Sequence, residues 1–421
     1  MKKLSAYFSK KNQFKRACRI LTFSDAVNRM KSGFKKPVFH FQAAYEGQPI
    51  LLIALFQKGR IRPDLVRLLE HAKAKGMYVL AINNLKLSNP LSLNGLIDCY
   101  VERFNYGRDF GIYKFGFLYL YKKSWHKRCP RVLMLNDSVY YSTKGLEHFL
   151  EDMISTENEV LGATENYEIE YHLGSFCVSV SDSVLNKKRF KKFWKRYKLS
   201  DIRPKVIHRG EMGLSKTLKR CVSSPNLIDA IYSTNRFLRE IDGSDELLDV
   251  SIRHARTCGL VDWKRLSAKS VLEASHESFM TKRFDVREAM AQVDSTLEEL
   301  NHTMFIGGYQ GVRDLITHNI FNGEAFEESL VRQLIVSLQV EVFMTGSQIH
   351  QNAALLVHMG LPIVKLDGLY RGVFNVGDMN KITAQLPKEE REELQRLLLD
   401  RPFGGWTMKK WKLAAFNRGW L

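Results

Sequence analysis

The chain has 421 residues, 45% of them hydrophobic and 26% charged, which is enough for one large domain with a second one, or for two domains of medium size. Lysine and arginine number 64 against 45 aspartates and glutamates, and the net charge of +19 favours anionic partners: nucleic acid, sugar nucleotides, lipid diphosphates or an anionic membrane. The six cysteines form no CxxC pair, which argues against a zinc ribbon or a redox motif. No window of the sequence holds the roughly 18 uninterrupted apolar residues of a transmembrane helix.

Residues 1–36 form a basic N-terminal segment that lacks the continuous apolar core of a signal peptide. The widely scattered cysteines fit a reducing compartment. We therefore expect a cytoplasmic protein that is soluble or peripheral to a membrane.

Residues 37–222 alternate between strand-like and helix-like segments, and this alternation predicts an α/β domain with a largely parallel sheet covered by helices. Apolar runs predict strands at 37–45, 50–56, 77–84, 96–103, 131–136, 159–164 and 172–181. Helical periodicity predicts helices at 62–76, 108–123, 145–154 and 186–198. We interpret residues 223–264 as a connection and residues 265–421 as a mainly helical C-terminal region.

The strand at 131–136 runs directly into Asn136-Asp137-Ser138. Ligands of open α/β sheets bind at the carboxyl ends of the strands, and an aspartate there can hold a divalent cation against a diphosphate. An Asx-type turn that ends the strand is the alternative for this segment alone.

The loop before the helix at 108–123 contains groups suited to phosphate binding. Arg103 and Arg108 can hold phosphate oxygens, and Gly107 permits a tight turn or the close approach of a ligand. Asp109 can contact a ribose or cap the helix. An Arg–Asp pair that only braces the loop remains the alternative.

Polar residues also surround the strand predicted at 159–164 and the helix that follows residue 208. The first group is Thr164, Glu165, His172 and Ser175. Glu211 is predicted near the start of a helix, where it either stabilises the helix dipole or acts as a general base that points into the cleft.

The segment 187–198 combines eight basic residues with aromatic residues at 190, 193, 194 and 197. This spacing predicts an amphipathic helix whose aromatic face is packed inside. Buried rings cannot stack on bases, so this segment argues against nucleic-acid binding.

In their order, these motifs resemble the rhamnan synthesis protein F family of bacterial polysaccharide glycosyltransferases. The resemblance covers residues 37–222 and 350–372. The motifs that carry it are RFNYGRDFGIYKFG (103–116), VLMLNDSVY (132–140), GATENYEIEYHLGSFCVSVS (162–181) with FKKFW (190–194), HRGEMGLSKTLKR (208–220) and, less clearly, NAALLVHMGLPIVKLDGLYRG (352–372).

The resemblance implies a GT-A-like fold, with a mostly parallel sheet flanked by helices and a mainly helical C-terminal region. It implies a hexosyl- or deoxyhexosyltransferase of bacterial surface polysaccharide synthesis (O-antigen, capsule or rhamnan type). The implied partners are a nucleoside diphosphate sugar, a lipid-linked glycan acceptor, the cytoplasmic face of the inner membrane and other polysaccharide-assembly enzymes, with no nucleic acid. A non-catalytic basic scaffold or binding protein of an assembly complex is the alternative.

The resemblance also assigns roles to residues. The donor-binding residues that it implies are Arg103, Asn105, Gly107, Arg108, Asp109, Asn136, Asp137 and Ser138. Asp137 would hold a divalent cation, Mg²⁺ or Mn²⁺, although a single carboxylate in place of the usual pair leaves metal dependence open. Glu211 is the implied general base and Glu165 its rival. Thr164, His172 and Ser175 are expected to contact the acceptor.

The C-terminal residues 406–421 place four aromatic side chains among four basic ones. This composition is typical of a helix that lies in a membrane interface. A terminal helix that docks onto the rest of the protein fits equally well.

Overall fold

The computed structural model describes residues 2–255, 267–279, 297–320, 328–373, 375–400 and 403–421. Eleven strands lie in these ranges. They are β1 (Val38–Gln42), β2 (Ile50–Leu55), β3 (Tyr78–Asn83), β4 (Cys99–Glu102), β5 (Arg131–Asn136), β6 (Val139–Tyr141), β7 (Val160–Asn166), β8 (His172–Leu173), β9 (Cys177–Ser181), β10 (Ile228–Tyr232) and β11 (Ile363–Lys365).

Helices separate most of these strands and make up most of the C-terminal region. The helices up to residue 255 are α1 (Lys2–Phe34), α2 (Pro63–Ala74), α3 (Arg108–Lys122), α4 (Leu146–Ser155), α5 (Asp182–Leu185), α6 (Lys188–Arg196), α7 (Arg203–Val206), α8 (Gly213–Lys219), α9 (Thr234–Asp242) and α10 (Asp245–His254). The later ones are α11 (Ala268–Phe279), α12 (Leu297–Ile320), α13 (Glu328–Met344), α14 (Gln348–Gln351), α15 (Ala353–His358), α16 (Gly368–Arg371), α17 (Val376–Thr383), α18 (Lys388–Leu399), α19 (Gly404–Thr407) and α20 (Lys410–Phe416).

The main sheet has nine strands in the order β1-β4-β3-β2-β5-β9-β7-β10, with β8 paired to β7. Strands β2, β3, β4, β5, β7 and β10 run in one direction, and β1, β8 and β9 run against them. The expected α/β fold, with a mostly parallel sheet between helices and a mainly helical C-terminal region, is therefore confirmed.

Apolar sequence explains the centre of this sheet. Every residue of β2, β3 and β5 is buried, as expected for strands that helices cover on both faces. Helix α2 begins with Pro63 in its first turn and is followed by Gly76 at a positive φ of 69°, which are the start and stop signals of its sequence.

The stretch interpreted as a connection contains ordered elements of the fold. Strand β10 pairs in parallel with β7 and is followed by helices α9 and α10. Residues 256–264 of that stretch lie outside the described residues.

A small second sheet joins the C-terminal region to the main domain. Strand β11 pairs with β6 so that Lys365 lies opposite Val139. Since β6 follows directly after Asn136-Asp137-Ser138, this pairing brings residue 365 to the end of β5.

Helix α6 buries its aromatic face, as predicted. Phe190 and Trp194 are fully buried, and the Trp194 ring stacks on Phe117 of α3 with a centroid distance of 4.7 Å. The lysines of α6 at 188 and 192 are exposed, so the helix presents charge outward and its rings inward.

The two ends of the chain pack together. Trp420 lies edge-on to Phe14 of α1 with a centroid distance of 5.5 Å, and the Arg418 guanidinium lies over the same phenylalanine ring. Docking is therefore the arrangement found for the last helix. Within the described ranges, no helix has the length and apolar character needed to cross a bilayer.

Candidate functional site

Polar residues collect where the parallel strands end. The six strands that run in one direction finish along the same edge of the sheet, and four of them, β4, β3, β2 and β5, are neighbours. The polar residues at those ends are Gln57 after β2, Asn83 and Asn84 at β3, Glu102 and Arg103 at β4, Asn136, Asp137 and Ser138 at β5, and Thr164 and Glu165 at β7. This edge is where open α/β sheets bind their ligands.

The Asp137 carboxylate is turned into the protein. Its Oδ2 accepts hydrogen bonds from the backbone N–H of Phe56 and the side-chain amide of Gln57, and the Arg62 guanidinium donates to its backbone carbonyl at 2.9 Å. Burial raises the pKa of Asp137, although these donors oppose the shift. Asp137 thus fastens the end of β5 to the loop that follows β2.

Asn136 and Asp109 connect β5 to the start of α3. The Asn136 amide donates to Oδ2 of Asp109 at 3.0 Å. Oδ1 of Asn136 accepts from the Ser138 hydroxyl at 2.6 Å. Burial first, and then the negative charge of Asp137, raises the pKa of Asp109 to about 6. The side chains at the end of β5 and at the start of α3 therefore meet.

Glu211 lies opposite His172. The carboxylate Oε2 of Glu211 is 3.6 Å from Nε2 of His172, a distance that fits an ion pair better than a hydrogen bond. Nδ1 of His172 is 2.8 Å from the carbonyl of Glu170, and since a carbonyl only accepts, Nδ1 must carry a proton. An unprotonated Nε2 would then point its lone pair at a carboxylate, so this geometry favours the doubly protonated imidazolium.

The pKa values of the pair agree with this arrangement. Burial lowers the pKa of His172, but the Glu211 carboxylate outweighs that effect and the net shift is upward. Burial likewise disfavours the ionised form of Glu211, but His172, Lys365 and Arg203 outweigh it, and its pKa lies below the ordinary value. Glu211 is therefore a carboxylate at neutral pH, and its side chain remains 28% exposed.

The local sequence explains how Glu211 reaches this position. The chain is helical without a break from Arg203 to Lys219, and residues Ile207–Met212 form a π-helical turn between α7 and α8. Glu211 therefore does not stand at a free helix N-terminus. Gly210 lets this π-helical turn pack closely against α3, because a Cβ on residue 210 would lie 2.9 Å from the Phe110 ring. Turns of the π type occur frequently at functional sites.

Three arginines and one lysine lie beside these carboxylates. Lys365 donates to the Ser138 hydroxyl at 2.7 Å. Arg108 donates from Nε to the Asp201 carbonyl at 2.8 Å, and Arg371 forms an ion pair with Asp367. The fourth member is Arg203 at the start of α7. The hydrogen bond to the Asp201 carbonyl takes the Arg108 side chain to within two residues of Arg203 along the chain. Burial, and then the charges of Arg203 and Arg371, lower the pKa of Arg108.

The donor set at the end of β5 does not fit a resident divalent cation. Mg²⁺ and related ions take several oxygen ligands, but the described residues include no group of three or more His, Cys, Asp or Glu side chains that could hold a metal ion. Oδ2 of Asp137 already accepts two N–H groups. The ammonium of Lys365 donates to the Ser138 hydroxyl, so a positive charge already lies next to the motif.

The other predicted donor-binding residues lie in the loop before α3. Arg103 donates to Asn84 and to the Tyr106 carbonyl, so it braces this loop, and burial lowers its pKa to about 10. Asn105 is exposed. Gly107 has a φ of 88°, and its N–H donates to the Asp201 carboxylate at 2.7 Å.

Glu165 connects two elements of the fold by hydrogen bonds. Its Oε2 accepts from the Thr234 backbone N–H at 3.0 Å, the Thr234 hydroxyl at 3.1 Å and the Tyr167 hydroxyl at 3.0 Å. These bonds tie the end of β7 to the start of α9. Ser175 is buried, and its carbonyl accepts from the Tyr113 hydroxyl. Thr164 is buried with a hydroxyl that has no partner among the described residues.

Sequence reasoning missed Arg203, Lys365 and Arg371 as site residues. The last two lie in the segment 352–372, which carried the resemblance less clearly and was assigned no site residue. Arg203 precedes Pro204 in a short helix and carried no signal of its own.

Comparison with known proteins assigns no activity to this chain. No protein-family model matches it. Over 174 residues, 40% of its length, the chain is 25% identical to an uncharacterized protein, y4gN, of Sinorhizobium fredii. The match spans 45% of that relative, so the chain covers less than half of the protein that it resembles.

Proposed function

We propose that this protein is a glycosyltransferase that moves a sugar from a nucleoside diphosphate sugar to a lipid-linked glycan in bacterial surface polysaccharide synthesis. The observation that carries the proposal is the position of the Glu211–His172 pair, which shares the carboxyl edge of the sheet with Asp109, Asn136 and a group of basic side chains. A carboxylate base beside a site for a diphosphate suits sugar transfer.

In this mechanism Glu211 takes the proton of the acceptor hydroxyl while the acceptor oxygen forms a bond to the anomeric carbon of the donor. The bond from that carbon to the diphosphate oxygen breaks, and the leaving diphosphate keeps the electron pair. His172 faces Oε2 of Glu211, which leaves Oε1 to receive the proton. Basic groups at the edge stabilise the charge that grows on the leaving diphosphate.

Glu211 is a better base than Glu165 because of what surrounds each carboxylate. Glu165 is buried and one of its oxygens accepts three hydrogen bonds. Glu211 is more exposed, and its shifted pKa keeps it ionised. A base has to reach the substrate, and Glu211 meets this condition.

The test is a screen of nucleotide sugars for hydrolysis or transfer by the purified protein. Glu211→Gln should lower turnover by about 10²- to 10⁴-fold, the usual contribution of a general base. The matched control is Glu157→Gln, which alters an exposed glutamate before β7 and should leave turnover unchanged. If no nucleotide sugar is bound or consumed, the scaffold alternative replaces the transferase.

A peripheral position at the cytoplasmic face of the inner membrane is part of the proposal, and α1 supports it. Phe23, Met30 and Phe34 are 73%, 61% and 81% exposed, and their spacing of seven and four residues places them on one face of the helix. Exposed Lys31 and Lys35 lie beside this face. An apolar stripe next to basic residues suits a bilayer that contains anionic lipid.

Sedimentation with vesicles tests this contact. Binding should be stronger to vesicles with anionic phosphatidylglycerol than to phosphatidylcholine alone, and the double variant Phe23→Ser/Phe34→Ser should weaken it. Leu91→Ser changes another exposed apolar residue and serves as the control. Equal binding by the double variant and the wild type would remove α1 from the membrane contact.

A further inference from the structure

We infer that the donor diphosphate is held by a basic cluster of Arg108, Arg203, Arg371 and Lys365, without a divalent cation. This inference rests on the proposed function, because it names the chemistry by which the same site holds its donor. Its support lies in the unused donors of the cluster, in how closely its members approach one another, and in the position of Lys365.

Arg203 is the member whose charge has no direct partner. Among the described residues its guanidinium forms no hydrogen bond and no ion pair, although it is only partly exposed. Burial, and then the charge of Arg371, lower the pKa of Arg203. An arginine with five N–H donors in such a place is suited to an anionic ligand.

The C-terminal turn shows that Arg203 and Arg371 face the same space. Nη1 of Arg203 lies 3.4 Å from the point where a Cβ on Gly419 would be. Arg371 donates from Nη2 to the backbone oxygen of Leu421 at 3.1 Å. Arg203 and Arg371 therefore lie next to backbone positions that are only two residues apart, and they reach this turn from different helices.

Arg108 completes the group of guanidinium side chains. Its backbone has a positive φ of 50°, directly after Gly107, a conformation that costs energy in a residue other than glycine. Its Nε donates to the Asp201 carbonyl, which fixes the side chain and leaves the terminal N–H groups for a ligand. Fixed, planar donors match phosphate oxygens in pairs.

Two of the carboxylates beside the cluster already accept hydrogen bonds from other groups. Asp367 is shared, because it accepts from both Arg371 and His350. Asp109 already receives the Asn136 amide. Like charges that are partly removed from water repel one another, and a diphosphate bound between them would relieve this repulsion.

Lys365 supplies positive charge at the place where the sequence led us to expect a metal. Its ammonium is 2.7 Å from the Ser138 hydroxyl, next to the end of β5. A lysine is a compact point charge that can neutralise phosphate oxygens. The ammonium and the three guanidinium groups together provide the electrostatic stabilisation that a cation would otherwise give to the leaving diphosphate.

The experiment is a calorimetric titration of inorganic pyrophosphate into the full-length purified protein, in EDTA and again with Mg²⁺. We expect wild-type protein to bind pyrophosphate in EDTA. Arg203→Gln and Lys365→Gln should each weaken binding by about tenfold or more, because each removes charge-assisted hydrogen bonds. Arg396→Gln removes an exposed arginine of α18 and should leave binding unchanged. Arg203→Lys should restore part of the affinity, which separates loss of charge from loss of folding.

The inference is overturned if pyrophosphate fails to bind in EDTA, or if both cluster variants bind as tightly as Arg396→Gln. The proposed function is judged separately, by turnover of nucleotide sugars. Turnover by wild-type protein that requires Mg²⁺ would remove the metal-free diphosphate site and leave the transferase standing. Metal-free binding of pyrophosphate through the cluster without any turnover would keep the diphosphate site and remove the transferase.

Discussion

The ionised carboxylate of Asp109 should lower the free energy of unfolding, because it is buried in the site. Its carboxylate is packed between the end of β5 and the start of α3, where it accepts from the Asn136 amide. Burial, followed by the charge of Asp137, raises its pKa from 3.8 to about 6. The substitution Asp109→Asn removes the charge but keeps an oxygen that can accept the same hydrogen bond.

The size of the effect follows from the shift in pKa. A raised pKa means that the protonated form is favoured in the folded state, so its stabilising contribution is complete below pH 3.8 and is lost as the pH rises to about 6. A shift of roughly two units corresponds to about 3 kcal/mol at neutral pH. Because Asp109 is partly accessible to solvent, we expect Asp109→Asn to gain about 1–3 kcal/mol in the free energy of unfolding at pH 7.5.

Urea denaturation at pH 5 and at pH 7.5 measures this gain. The gain at pH 7.5 should exceed the gain at pH 5 by about 1 kcal/mol, since the wild-type carboxyl is still largely protonated at the lower pH. Asp242→Asn at the exposed end of α9 is the control and should change little at either pH. A loss of stability at pH 7.5, or an equal gain at both values, would refute the reasoning.

Three further predictions concern the backbone and the carboxylates of the site. Gly107→Ala should lower stability by about 1–3 kcal/mol, because φ is 88° and a Cβ would lie 3.0 Å from a leucine side chain. Gly33→Ala in α1 is the control in the same thermal melts, and it should be neutral or stabilising because a Cβ at residue 33 meets nothing within 4 Å. Glu165→Gln should lower stability by about 1–3 kcal/mol but retain turnover, and a loss as large as that of Glu211→Gln would make Glu165 the base. Protonated His172 contributes stability that is present below pH 6.5 as long as Glu211 is ionised, and this stability is lost as the pH rises through the raised pKa of His172. His172→Gln should therefore flatten the pH dependence of unfolding in the range above pH 6.5.

Sequence alone was sufficient for the elements with local signals. Helix α2 was predicted at 62–76 and observed at Pro63–Ala74, since a proline at its start and a glycine after its end fix its bounds. Strands β2, β3 and β5 were found because a run of apolar residues has to be buried. The position of Asn136 and Asp109 at one edge followed from the rule that parallel strands share their carboxyl ends.

The details of the site depended on contacts that have no local signal. Lys365 reaches Ser138 across 227 positions of sequence, through a pairing of two strands of three residues each. Such short strands have no clear periodicity. The sequence also does not reveal the π-helical turn that carries Glu211, because the hydrogen bonds of such a turn span only one residue more than those of an α-helix.

The C-terminal region therefore has a direct part in the site as well as in the fold. Strand β11 places Lys365 beside β5, and α16 places Arg371 against Asp367 two residues beyond that strand. The α/β domain contributes the carboxylates Asp109 and Glu211, while half of the basic cluster comes from beyond residue 360. If the site binds a diphosphate, the two regions are held together by that ligand, and pyrophosphate should raise the midpoint of thermal unfolding in wild-type protein more than in Lys365→Gln. An equal shift in both proteins would mean that the C-terminal region supports the fold without contacting the ligand.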